Sequence, residues 1–231
     1  GVTTDVTGNC GFSPFPINPA HLALHLDLLA GIGDDPAPLA WTDLEGYRQT
    51  AEARGIALNI APLVGHGALR IAAMGVRSEA ATQTEMQAMC DSLSLLLDQG
   101  AFGMTTGLTY VPSRYAPTAE LLSLCQVLAA RQRLYATHAR DQDLEGDDHR
   151  YGPLREALHL GAAAGVRVQY SHAAINTPSE WGSAADWTRR FDQAVDQGLD
   201  AGFDVYPYDA SSSALTQYLP PWVQEGGVAA M

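Results

Sequence analysis

Along the 231-residue chain, short alternating or apolar runs bounded by turn residues take turns with longer stretches of helical period. Six runs predict strands: "VTTDVTGN" (2–9), "IALNIAPLVG" (56–65), "AFGMTTGL" (101–108), "LYATH" (134–138), "VRVQYSH" (166–172) and "LDAGFDVYPY" (199–208). Helices are expected between them. "TQTEMQAMCDSLSLLLDQG" runs from a Thr82 cap to a closing Gly100, and "TAELLSLCQVLAARQ" starts at Thr118 with a possible capping acid. "YGPLREALHLGAAAG" and "ADWTRRFDQAVDQG" close at Gly165 and Gly198. Strand and helix in alternation with short connections mean parallel strands and right-handed crossovers, the α/β class. A doubly wound sheet and most of a barrel both suit six such strands, and the absence of a GxGxxG turn after the first strand weighs against a dinucleotide fold. "GIGDDPAP" (31–38) reads as a surface loop between two helical pieces of one unit, and residues 1–231 as a single barrel segment cut at both ends.

Charge and composition narrow the chemistry. A formal net charge of -13 leaves no basic face for nucleic acid. No apolar run approaches the roughly 20 residues of a membrane helix, so a cytoplasmic enzyme is expected. All 13 basic residues are arginine, which removes Schiff-base chemistry and any lysine-derived metal bridge. Cys10, Cys90 and Cys125 are too few and too scattered for a disulfide scaffold.

Chemistry in a parallel barrel gathers at the carboxyl ends of the strands. Three predicted strands end in metal-capable residues: Cys10 in "GNCG", His138 in "YATH" and His172 in "QYSH". Each alone has a structural reading, a small buried hydrophobe or a satisfied core imidazole. Together, a thiolate and two imidazoles suit zinc, with a fourth position left open. His66 in "LVGHG" sits at another strand end, where it could orient a ligand or merely shape a turn. Spaced i, i+4, His21 and His25 read as a plain helix surface, His149 as part of a charged loop and His159 as part of a helix face. Arg140 is a candidate carboxylate clamp, or else the ion-pair partner of Asp141 or Asp143.

The segments "GVTTDVTGNCG", "LVGHGALR", "TTGLTYVPSRYAPTAEL", "YATHARD", "VQYSHAA", Trp181-Gly182 and "DVYPYDASSSAL", in this order, resemble the N-acyl-D-amino-acid deacylases of the amidohydrolase superfamily. The resemblance implies a (β/α)8 TIM-like barrel of the metal-dependent hydrolase type, here strands two to seven. It also implies Zn2+ held by Cys10, His138 and His172, with the cysteine in place of the superfamily's modified lysine. The implied reaction is hydrolysis of the linear amide bond of N-acyl-D-amino acids, a small-molecule substrate. Tyr110 is then expected to line the pocket and Ser212 to lie near the substrate carboxylate. The family's general-base aspartate would fall beyond Met231 and the first-strand His-x-His before Gly1, so the chain by itself is expected to be inactive. Ala174 departs from the family pattern, which has a carboxylate-holding lysine at that place. That departure keeps two alternatives open, an amidohydrolase for cyclic amides or other C–N bonds and a non-catalytic barrel segment that holds zinc.

Overall fold

The computed structural model describes residues 1–30, 39–140, 147–176, 178–213 and 215–225, with the side chains of 147–150, 216, 217 and 221 excepted. The loop expected at 31–38, the acids Asp141 and Asp143 and the His149 side chain therefore lie outside the described residues. The elements, in chain order, are β1 (Thr4–Thr7), α1 (Leu22–Ala30), α2 (Leu44–Arg54), β2 (Asn59–Gly65), α3 (His66–Met74) and α4 (Gln83–Asp98), then β3 (Gly103–Gly107), α5 (Thr118–Ala130), β4 (Leu134–His138), α6 (Asp147–Ala164), β5 (Arg167–Tyr170), α7 (Ala184–Asp196) and β6 (Ala201–Phe203).

All six strands pair in parallel, in the spatial order β1-β2-β3-β4-β5-β6. That order decides between the two expected architectures. A doubly wound sheet reverses direction at a switch point, whereas strands laid down one after another in sequence order curl toward a barrel. The result is a curled half-barrel, consistent with an incomplete TIM-like barrel.

The register shows why the sheet curls with its helices outside. One row across the strands reads Val64, Met104, Tyr135, Val168, Ala201, and these side chains pack into the core beneath the helices. Side chains alternate between faces, so the next row, Gly65, Thr105, Ala136, Gln169, Gly202, belongs to the concave side. Its residues are mostly small, as the tighter inner radius requires. Two residues beyond Ala136, His138 returns to this inner face at the end of β4, opposite Gly107.

On the outer side α4 presents Met89, Leu93, Leu96 and Leu97 (i, i+4, i+7, i+8), and α5 presents Leu121, Leu124, Cys125 and Leu128 (i, i+3, i+4, i+7), each set one face of a helix. Thr82 and Glu85 form the reciprocal capping box expected at the start of α4. The last helix is pinned to the sheet by aromatic rings: Trp187 lies 5.4 Å from Tyr170, 5.7 Å from Phe191 and 5.2 Å from Phe203, centroid to centroid.

Several local expectations are corrected. α5 begins after Pro117 with no side-chain cap; Thr118 donates to Glu156 instead, and Glu120 is buried rather than capping. Position 149 falls inside α6, not in a loop. His25 is buried and His21 donates through Nδ1 to the carbonyl of Ile71, so this pair is not a helix surface. α3, immediately after β2, has no counterpart among the expected helices.

Two leucines of α4 test the assignment of faces. Leu93→Ala is expected to cost about 2–5 kcal/mol in urea unfolding because it empties a buried site. Leu95→Ala, at a position 53% exposed, should change stability by less than about 0.5 kcal/mol.

Candidate metal centre

The turn after β1 is built to enter the mouth of the half-barrel. Gly8, Cys10 and Gly11 all have left-handed backbone, with φ of 88°, 57° and 82°. Three such residues in four turn the chain sharply inward, and two of them are glycine, which tolerates it. The receiving surface is glycine too. A Cβ on Gly107 would collide with the carbonyl oxygen of Cys10, one on Gly65 with that of Gly11, and one on Gly8 with that of Leu63. Backbone lies directly on backbone, which brings the Cys10 side chain over the ends of β3 and β4. Cys10, as a residue with a Cβ, pays about 1–2 kcal/mol for its left-handed conformation.

Two histidines meet the thiol there. Cys10 Sγ lies 3.3 Å from His172 Nε2, and His138 Nδ1 lies 3.0 Å from that same nitrogen. All three potential ligand atoms fall within 4.8 Å of one another. Zinc bonds of about 2.3 Å to sulfur and ~2.0–2.1 Å to nitrogen, at tetrahedral angles, separate ligand atoms by about 3.3–3.6 Å. Two of the spacings, 3.3 and 3.0 Å, sit close to those edges and the third is within 4.8 Å, so the donor set is of a size and chemistry that could hold a zinc ion.

The candidate ligands are held from behind. His172 has a left-handed φ of 39°; its backbone N–H donates to Asp204 Oδ1 at 2.6 Å, and Gln169 Nε2 donates to Oδ2 of the same carboxylate at 2.7 Å. The Tyr206 ring stacks on His172 at 5.4 Å. Tyr110 lies 5.0 Å from the His138 ring and 5.0 Å from Phe12, walling the cluster on one side. Strained backbone at two of the three candidate ligands is the kind of local cost that functional sites carry.

Protonation follows from burial. Loss of water, helped by the neighbouring His172 charge, pushes His138 down to about 3, so at neutral pH it is uncharged and can offer a lone pair. Burial, with the Asp204 carboxylate adding to it, pushes the Cys10 thiol up to about 11. A metal entering at neutral pH must displace the thiol proton.

The remaining candidates are placed differently. His66 is fully buried at the first position of α3, its Nδ1 2.9 Å from Ser113 Oγ and its Nε2 2.9 Å from Glu120 Oε1. Glu120 also accepts two bonds from Arg70, at 2.8 and 2.7 Å, and Arg70 donates onward to the carbonyls of Arg77 and Glu79. Burial lowers His66 against the pull of Glu120; burial would raise Glu120, yet the bonds and charges of His66 and Arg70 hold it below its ordinary value. The His66 ring nitrogens thus face this network and not the Cys-His-His cluster. The network holds the start of α3, where Gly65 and Gly67 pack against the Gly11 carbonyl.

Arg140 pairs with Glu156 at 3.0 Å and donates to the carbonyls of Arg114 and Ala116, so among the described residues the guanidinium is bound within the protein. Ser212 stands exposed in the segment after β6, and Ala174 stands exposed two residues past His172. Cys90 and Cys125 lie on α4 and α5 as expected, both unpaired. Sequence reasoning missed Thr109, whose hydroxyl lies 3.0 Å from His138 Nε2, along with Asp204, Glu120 and Arg70. Asp204 alone carried a visible signal, as an acid within a predicted strand run.

Zinc binding at pH 7 should release a proton, and affinity should rise with pH until the thiol is ionised; calorimetry in buffers of different ionisation enthalpy measures the proton count. Cys10→Ala and Gly107→Ala should both abolish tight zinc uptake, the second by displacing the turn, while Cys90→Ala leaves it unchanged. Glu120→Gln should cost about 3–5 kcal/mol in urea unfolding, since it strips the buried Arg70 of its counter-charge.

No family model matches the chain. Curated relatives do. It is 38% identical over 217 residues to an N-acyl-D-glutamate deacylase and 35% identical over 217 residues to a D-aminoacylase, both of Alcaligenes xylosoxydans xylosoxydans, matching 93% and 94% of this chain but 42% and 43% of theirs. Among solved structures, the N-acyl-D-glutamate deacylase of Bordetella bronchiseptica, complexed with zinc and a phosphonate mimic of the tetrahedral intermediate, is similar with a TM-score of 0.79 at 36% identity, over 92% of this chain and 43% of that one. The chain spans about two fifths of the length of the relatives it matches. Over nearly all of its own length, in sequence and in fold, it is similar to the N-acyl-D-amino-acid deacylases, the family that its motifs resemble.

Proposed function

We propose that the chain supplies the metal-holding part of a zinc-dependent amidohydrolase, a barrel of the metal-dependent hydrolase type that cleaves N-acyl-D-amino acids into a carboxylate and a D-amino acid. The observation that carries this reading is the convergence of Cys10 Sγ, His138 Nδ1 and His172 Nε2 within 4.8 Å at the end of the half-barrel where parallel strands place their chemistry. Bound there, zinc supplies Lewis acidity toward an amide carbonyl and lowers the pKa of water to about 7. The similarity to enzymes described as acting on acylated D-glutamate and other acylated D-amino acids supports the substrate class. Among the described residues no helix is long and apolar enough to cross a membrane, and three unpaired cysteines suit the reducing cytoplasm.

The chain's own residues divide the work. Cys10, His138 and His172 present three ligands and leave one side of the cluster for a substrate. Tyr110 forms a wall of that side and offers a phenol to the bound amide. Ser212 offers a hydroxyl to the substrate carboxylate. Arg140 acts on the substrate through Tyr110: by gripping the carbonyls of Arg114 and Ala116 it ties the segment after β3 to the end of β4, and Arg114 N–H in turn donates to the Tyr110 carbonyl.

The intact protein is to be assayed against N-acetyl-D-amino acids, their L-enantiomers and hydantoins, before and after metal removal. Release of D-amino acids that is lost on chelation and restored by zinc is expected. His172→Ala should lower it by more than about a hundredfold, the upper end of what losing a supporting group around a metal costs. Amide turnover indifferent to chelation would overturn the reading, and ring opening of hydantoins without acyl cleavage would replace its substrate class.

A further inference from the structure

A neutral imidazole carries a single proton, on one nitrogen or the other, and only the bare nitrogen can bind a metal. His138 therefore contributes to the cluster in one of its two tautomers and blocks it in the other. Its Nδ1 faces His172 Nε2 at 3.0 Å; its Nε2 faces the hydroxyl of Thr109, also at 3.0 Å. Thr109 is almost wholly buried, and its segment is fastened to the same histidine by a bond from Leu108 N–H to the His138 carbonyl. The hydroxyl thus meets the ring in a fixed position, while Tyr110, the next residue, packs on the ring itself.

We propose that Thr109 is a positioning residue: by accepting the Nε2 proton of His138 whenever Nδ1 is bare, its hydroxyl holds the ring with that Nδ1 lone pair toward Cys10 and His172, and so sets the affinity of the metal centre. The inference rests on the metal-centre reading above. A ring nitrogen not used for ligation commonly finds a fixed partner in metal sites, and losing that partner weakens metal binding. Here the partner is a neutral hydroxyl rather than a carboxylate, which orients the ring without adding negative charge beside a thiol that must still ionise.

Two variants separate the hydroxyl from the shape of the side chain. Thr109→Val keeps the volume and removes the acceptor; Thr109→Ser keeps the acceptor. Zinc affinity by competition with a chelating dye should fall about 10–100-fold in the valine variant and stay within about threefold of wild type in the serine variant. In the metal-free protein, the 15N spectrum of the His138 ring should show the proton on Nε2 in wild type and in Thr109→Ser, and a mixture of tautomers in Thr109→Val. A wild-type ring protonated on Nδ1 overturns the proposal whether or not the valine variant folds, and so does a valine variant that binds zinc as tightly as wild type. If wild type takes up no zinc while its ring carries the proton on Nε2, the metal-centre reading fails and the Thr109 contact does not.

Discussion

The close approach of two backbones without side chains between them is the constraint on which this site depends. The turn carrying Cys10 reaches the cluster because Gly107 and Gly65 leave the ends of β3 and β2 bare, and a methyl group at either would occupy the space of a carbonyl oxygen of the turn. Backbone packed on backbone is stiff in a way that side-chain packing is not, since neither partner has a rotamer to change. The sulfur is therefore positioned by the sheet itself, and the left-handed strain at Cys10 is offset by contacts made by its neighbours rather than by its own side chain.

The same economy runs down the concave face. Gly65, Thr105, Ala136, Gln169 and Gly202 form a row of mostly small residues where the curl brings strands together, while Val64, Met104, Tyr135 and Val168 fill the wider outer layer. Curvature, face and register are thus one property. Because His138 is two residues beyond Ala136, the parity that places small residues inside also places this imidazole at the mouth.

Much of this was legible in the chain, and the failures have a common physical origin. Strand runs ending in Cys, His and His were visible because strand ends in a parallel barrel share one face, a rule that needs no coordinates. The doubly wound alternative stayed open because strand order is a long-range property that periodicity does not encode. Partners that act across space were invisible for the same reason: Glu120 looks like an acid in the first turn of a helix, and only the fold brings it to His66 and Arg70, 54 and 50 residues away. Arg140 shows the converse. Its position two residues past His138 suggested a carboxylate clamp or an ion pair with a nearby acid, and the fold gives the guanidinium Glu156 and two carbonyls, brought close by α6 and the segment after β3. His25 was misplaced because a histidine in a helix of mixed pattern gives no sign of which side is covered.

Electrostatics gives the cluster its direction. Asp204 adds to the burial that keeps the Cys10 thiol protonated, which considered alone would make the cysteine a poor ligand. A dication reverses the balance, because the carboxylate that opposes a thiolate attracts the ion the thiolate would bind. The same carboxylate fixes the backbone of His172 through its N–H, so it sets both the geometry of one ligand and the ionisation of another. A site arranged in this way resists ionising without a metal, and a lone buried thiolate beside Asp204 is avoided until there is positive charge to neutralise it. Were a dication held by Cys10, His138 and His172, ionisation of the thiol would be coupled to its binding, and a proton would be released.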